Sequence, residues 1–105
     1  ALMVFVEVNQ DAVKEIISPE EQAMDLIKQD KVFKTYIEGK DYSTELKFLL
    51  PETVKEINEE LGLELEEKEL IQVNFSHPQL GNYTAFVDLE KETVKIYRLA
   101  GASLN

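Results

Sequence analysis

Three short segments late in the chain, residues 70–75, 83–89 and 93–99, constrain its fold more than any other feature. All are rich in β-branched and aromatic residues, and the first two alternate as a half-buried strand does. Turn-forming clusters at residues 76–82 and 90–92 separate them. Three strands joined by such short connections form an antiparallel meander. Because the first half of the chain is helix-rich, the expected class is α+β.

Upstream, Leu2, Val4, Val6 and Val8 alternate with Met3, Phe5 and Glu7, the pattern of a first strand. The same short apolar stretch would also suit the end of a removed signal or anchor segment, and the strand reading is preferred. Asp11 can cap a short helical turn carrying Val13, Ile16 and Ile17. Ser18-Pro19-Glu20-Glu21 is the clearest helix start: a capping serine, a proline at the first helical position and an acceptor three residues on. Ala23, Leu26 and Ile27, then Val32, Phe33, Tyr36 and Ile37, describe a broad apolar face. Asp30, between the two groups, marks a kink or a fresh cap, and Gly39 ends the segment.

Residues 44–50 read as a further strand, with Leu46, Phe48 and Leu50 facing one way and Glu45 and Lys47 the other. Pro51 opens a second helix whose stripe is Leu50, Val54, Ile57 and Leu61, closed by Gly62 with Leu63 just beyond. The expected architecture is one domain over residues 1–105, in the order β-α-β-α-β-β-β. Two helices pack on one face of a mainly antiparallel sheet of four to five strands. Its expected core is Val4, Val6, Ala23, Ile27, Phe33, Ile37, Phe48, Val54, Ile57, Leu61, Ile71, Val73, Phe75, Ala85, Val87 and Ile96.

Charge and composition exclude several function classes. The 105-residue chain has a net charge of −10, from 21 acidic and 11 basic residues, and Arg98 is its only arginine. A phosphate-binding surface needs clustered Lys and Arg, so nucleic acid is not an expected partner, and anionic membrane surfaces are disfavoured likewise. With no cysteine there is no disulfide framework and no thiol chemistry. No apolar run approaches the ~20 residues that span a bilayer, so membrane insertion of this segment is not expected. Length and composition suit one soluble core, and the chain is read as a monomer.

No constellation of catalytic or metal-ligating residues stands out. His77 is the only histidine. It lacks partners for a zinc set, and as a loop residue beside Ser76 it lacks the geometry of a base–nucleophile pair. The carboxylates of Glu56, Glu59, Glu60, Glu64, Glu66, Glu67 and Glu69 lack the alternating Asp/Asn and glycine of a calcium loop and read as a solvated surface. No glycine-rich phosphate loop exists, and no cofactor is implied. Tyr36, Tyr42, Tyr83 and Tyr97 could supply a recognition surface because tyrosine is favoured at interfaces, but core or sheet packing is the preferred reading, Tyr83 and Tyr97 lying on neighbouring strands.

Two blocks carry a resemblance. Residues 18–23 leading into a helix, and residues 83–94 with Tyr83, Val87-Asp88 and Val94, resemble the PepSY family, whose units pair a Ser-x-Glu-x-Ala helix with a Tyr-x-x-x-Val-Asp hairpin. The chain departs where Glu92-Thr93 replaces a Thr-Gly turn, and residues 51–62 have no counterpart in the basic unit. The resemblance implies a small helix-plus-sheet module, often outside the cytoplasm, that binds or restrains protein partners such as peptidases. The outline is also similar to the cystatin-like group, but residues 72–76 lack the Gln-x-Val-x-Gly inhibitory hairpin.

The functional expectation is therefore a small acidic, non-enzymatic module binding a protein or peptide partner, as the soluble part of a secreted or anchored protein. Its expected contact residues are Tyr83, Phe86 and Tyr97 near a sheet edge. The alternative is a small-ligand-binding domain with a pocket between helices and sheet.

Overall fold

The computed structural model describes residues 18–98. The expected first strand, the turn carrying Val13, Ile16 and Ile17, and the core positions Val4 and Val6 lie outside them. In chain order the elements are α1 (Pro19–Lys28), a π-helical turn (Phe33–Ile37), β1 (Ser43–Leu49), α2 (Pro51–Leu61), β2 (Leu70–His77), β3 (Gly81–Asp88) and β4 (Thr93–Arg98). The strands form one antiparallel sheet in the order β1-β2-β3-β4, so the chain is α+β as expected. Neither described helix is long and apolar enough to cross a membrane.

Local chemistry sets the helix boundaries. The Ser18 hydroxyl accepts the Glu21 N–H at 3.2 Å and donates to the Glu21 carboxylate at 3.3 Å, a capping box closed through the side chains. Pro19 occupies the first turn, with Glu20 and Glu21 at the positive end of the helix dipole and Lys28 at the negative end. Past Lys28 the Asp30 carboxylate accepts the Val32 N–H at 2.8 Å and restarts the backbone. The new turn is π-helical, with the Glu38 N–H reaching the Phe33 carbonyl at 2.8 Å. It buries Phe33 and Ile37 in line with Ala23 and Ile27. Gly39, at φ 78°, ends it.

Strand parity then builds two cores. Successive side chains on a strand point to opposite faces. Ile71, Val73, Phe75, Tyr83, Ala85 and Val87 meet α1 and the π-turn on one face. Leu49, Leu70 and Phe86, one position out of phase, meet Val54 of α2 and Leu65 of the following connector on the other. The second helix was expected beside the first; it covers the opposite face instead. The reason lies in Leu49, the last residue of β1. Its side chain is buried while its neighbours Phe48 and Leu50 are 60% and 56% exposed, so β1 hands the chain over to the far side of the sheet.

Two expected core residues are corrected by the same geometry. Phe48 lies on the edge strand β1, while α1 lies over β3 and β4, so nothing described covers its ring. Leu61, 46% exposed at the end of α2, yields its place to Leu65. Gly62 in the left-handed region (φ 68°) turns the chain, and the Leu63 N–H closes on the Asn58 carbonyl at 3.0 Å. The Asn58 carboxamide then clamps Leu65 at both ends, donating to its carbonyl at 2.8 Å and accepting its N–H at 2.9 Å. Val54 is fully buried, and Ile57 and Ile96 are half-buried. Leu49, Leu65, Leu70 and Phe86 join the core without having been expected there, and Tyr83 packs in it, as the preferred reading of the tyrosines had it.

The clamp makes a coupled prediction. Asn58→Ala removes both bonds and strands polar groups of a buried residue, costing about 2 kcal/mol. Leu65→Ala leaves a cavity costing about 3 kcal/mol. Because both changes release the same connector, urea unfolding of the double variant should cost clearly less than the sum. Strict additivity would show that the clamp does not position Leu65.

Candidate functional site

The α1 face of the sheet ends in an aromatic cluster. The register sets His77 opposite Gly81, Phe75 opposite Tyr83, and Tyr83 opposite Arg98, all on that face. Tyr42 enters from the residue before β1, and Tyr36 from the π-turn. Tyr83 is the hub. Its ring stacks on Tyr36 (centroids 6.1 Å apart, 20° between planes), meets Tyr42 edge-on (6.1 Å, 71°) and carries the Arg98 guanidinium at 6.0 Å. Tyr42 in turn leans on the His77 ring at 5.3 Å. Such rings attract through their quadrupoles as well as through buried area, and a guanidinium over a ring face adds a cation–π attraction.

The cluster is anchored beneath and open above. Tyr83 is 7% exposed and packs in the core with Phe75, whereas Tyr36 is 52% exposed, Tyr42 and His77 are half-buried, and Arg98 is exposed. Gly81, at φ 92°, supplies a notch for the arginine: a Cβ there would lie 3.3 Å from Nη2. His77 is fixed by its own turn, its Nδ1 accepting the N–H groups of Gln79 at 3.0 Å and Leu80 at 3.1 Å. That bonding leaves the ring proton on Nε2. Burial, reinforced by the neighbouring Tyr83 phenol and opposed by Arg98, holds the Tyr42 hydroxyl above the usual tyrosine range, so it remains a donor at neutral pH.

The expected contact residues Tyr83, Phe86 and Tyr97 do not share a surface. Tyr83 belongs to the α1 face. Phe86, 3% exposed, is packed under the opposite face, where the half-buried Tyr97 meets it edge-on at 6.0 Å. Tyr36, Tyr42 and Tyr83, weighed together from the sequence, do converge. Arg98 and His77 were missed as their neighbours, although strand parity with Tyr83 was the available signal. Ser76 and His77 are consecutive in β2 and project to opposite faces, so they form no nucleophile–base pair.

The α2 face carries a polar row beyond its apolar cluster. Glu45, Asn74, Thr84 and Tyr97 stand side by side across the four strands. The Asn74 carboxamide oxygen accepts from the Thr84 hydroxyl at 2.6 Å and from Gln72 Nε2 at 3.1 Å. A shallow groove lies along Glu45, Asn74 and Thr84 of this row, bordered also by Ser76 and Asn82.

At the opposite end of the sheet, charges tie the connector to the β3–β4 turn. Lys68 Nζ bridges Asp88 at 2.9 Å and Glu90 at 2.5 Å, and Lys91 pairs with Glu66 at 2.8 Å. The Lys91 N–H also reaches the Asp88 carboxylate at 3.1 Å. Glu92 follows with φ 56°, a left-handed conformation uncommon for a residue with a side chain. Among the described residues, no group of three or more His, Cys, Asp or Glu side chains is arranged to hold a metal ion. No known protein family matches the chain, and neither characterised proteins nor solved structures yield a match.

Burial raises the Asp88 carboxyl, but Lys68 and the backbone donors of the turn outweigh it and hold the group below the usual aspartate range. A carboxylate with a depressed folded pKa contributes stability above its unfolded value of about 3.9, and that contribution fades as pH falls through the folded value. Removing Lys68 as Lys68→Met should therefore move the Asp88 titration, followed by carboxyl-carbon NMR, to higher pH. The acid limb of the melting curve should move the same way. An unchanged Asp88 titration would mean that the turn donors alone hold the carboxylate.

Proposed function

We propose that this protein is a non-enzymatic module that binds a protein or peptide partner through the aromatic end of the sheet, formed by Tyr36, Tyr42, His77, Tyr83 and Arg98. One observation carries the reading: a half-exposed tyrosine and an exposed arginine sit on a buried tyrosine, in a chain whose other charged groups are mostly Glu and Lys. Tyr and Arg are, with Trp, enriched among the few residues that dominate binding energy at protein interfaces. The PepSY resemblance of the two sequence blocks, with its implication of partner binding, points in the same direction.

A random-peptide display library selected against the whole chain tests this reading. Enriched peptides should lose at least about tenfold in affinity for Tyr36→Ala, the loss typical of an interface hot spot. That substitution should move the urea midpoint little, since a half-exposed side chain adds little to folding. No enrichment, or peptides indifferent to Tyr36, would remove the reading.

The small-ligand alternative has one specific support, the polar row on the α2 face. On the α1 face Ala23, Ile27, Val73, Ala85 and Val87 are all at 0% exposure. The Asn74 oxygen, by contrast, is engaged by Gln72 and Thr84, which orients the amide donors of Asn74 for an external acceptor. A neutral, hydroxyl-rich ligand suits such a row. Titration with maltotriose and chitotriose at about 10 mM, enough to saturate a 1 mM site, should shift the Asn74 side-chain NMR signal. An unmoved signal with both sugars would dismiss this alternative.

A further inference from the structure

We infer that the aromatic end recognises a carboxylate on its peptide partner, with the Arg98 guanidinium as the anchor. The inference rests on the peptide-binding reading above and names the chemistry of the ligand. Three observations lead to it.

The first is the identity of the cation. Arg98 is the single arginine of a chain with 21 acidic residues and, like most of the described lysines, has no carboxylate partner among the described residues, so its fork of donors is open. A guanidinium is the side chain best matched to a carboxylate, because its planar fork of N–H donors takes both oxygens at once.

The second is preorganisation. Arg98 is exposed yet located, its guanidinium lying over the Tyr83 ring and in the notch left by Gly81. Tyr83 is itself held by Tyr36, Tyr42 and the core. Less rotamer freedom then remains to be lost when a ligand binds.

The third is the polarity of the surroundings. Two polar groups of the cluster offer donors: the Tyr42 hydroxyl stays protonated, and His77, its Nδ1 occupied as an acceptor, presents an Nε2–H. A cluster of donors around an aromatic floor calls for an acceptor that carries negative charge. With a net charge of −10 on the chain, a singly charged carboxylate meets less long-range repulsion than a doubly charged phosphate. The aromatic floor also favours an apolar or aromatic residue next to that acid.

The test uses a peptide selected on the whole chain and its synthetic derivatives. These carry each Asp as Asn, each Glu as Gln, or the C-terminal acid as an amide, so a side-chain carboxylate and a chain terminus are told apart. Against the parent protein, one of these neutral derivatives should bind about 10- to 100-fold more weakly, the worth of a charge-assisted hydrogen-bonded pair. Against Arg98→Gln, the same derivative should bind within about twofold of its acidic parent, because the interaction has no second partner. Arg98→Lys, which keeps the charge without the fork, should restore only part of the difference and guards against a folding artefact in Arg98→Gln.

Peptides that depend on Tyr36 but bind equally well without any carboxylate would overturn the inference and leave the peptide-binding reading standing. A penalty that persists in Arg98→Gln would overturn it too, by placing the acid elsewhere. So would a phosphopeptide that exceeds its carboxylate counterpart in affinity in an Arg98-dependent way. Failure of every peptide to depend on Tyr36 would instead be the failure of the underlying reading.

Discussion

Burial of β3 on both faces organises this molecule. Residues 83–88 are buried without interruption, because the odd-numbered side chains meet α1 while Thr84 joins the polar row, Phe86 the α2 cluster and Asp88 the Lys68 bridge. A strand covered from both sides tolerates no slip of register, since a shift by one residue would exchange its two complete sets of side chains. The pairings Tyr83 with Arg98 and Phe75 with Tyr83 inherit that fixity. The aromatic end is thus a consequence of the core: Tyr83 belongs to the hydrophobic cluster and to the surface cluster at once.

The sequence was most legible where a boundary depends on one residue and its near neighbours. Ser18 with Pro19 and Glu21 marked the start of α1, Asp30 marked the restart, and Gly39 and Gly62 marked the ends; each acts through hydrogen bonds or dihedrals spanning a few residues. Strand parity was less legible because both faces of β3 are apolar. Phe86 was placed with Tyr83 and Tyr97 at a contact surface from a pattern of half-burial, whereas a run such as Tyr83, Ala85, Phe86 and Val87 also describes a strand buried on both sides. The side taken by α2 was hidden for a related reason. It turns on whether Leu49 or Leu50 closes β1, and adjacent leucines carry no signal of which one points inward.

The connector between α2 and β2 shows how a strongly charged segment can still be placed accurately. Residues 63–69 read as a solvated run of glutamates, and most of their side chains are exposed. Three contacts nevertheless fix the backbone: the Asn58 clamp on Leu65, the burial of Leu65, and the bridge from Lys68 to Asp88 and Glu90. The clamp draws a pair of hydrogen bonds from one side chain, as a neighbouring strand would from its backbone. Lys68, with only part of its side chain in solvent, contributes mainly by keeping the nearly buried Asp88 from being left unpaired. Neither contact follows from the local sequence, because Asn58 is separated from Leu65 by a chain reversal, and Asp88 from Lys68 by the β2–β3 hairpin.

These two ends of the sheet treat charge in opposite ways, and that contrast gives the arginine its meaning. At the β3–β4 turn, cations and carboxylates are matched within the molecule, and Lys68 and Lys91 are both pulled toward higher pKa values by their partners. At the other end the cation rests on an aromatic ring, with no described carboxylate to neutralise it. Stacking satisfies the face of a guanidinium but leaves its edge donors to water. Water is a replaceable partner, and a carboxylate arriving with an apolar neighbour would displace it while covering Tyr36, the most exposed ring of the cluster. Unpaired edge donors above a buried aromatic support give this end of the sheet a point of chemical selectivity that area alone does not supply.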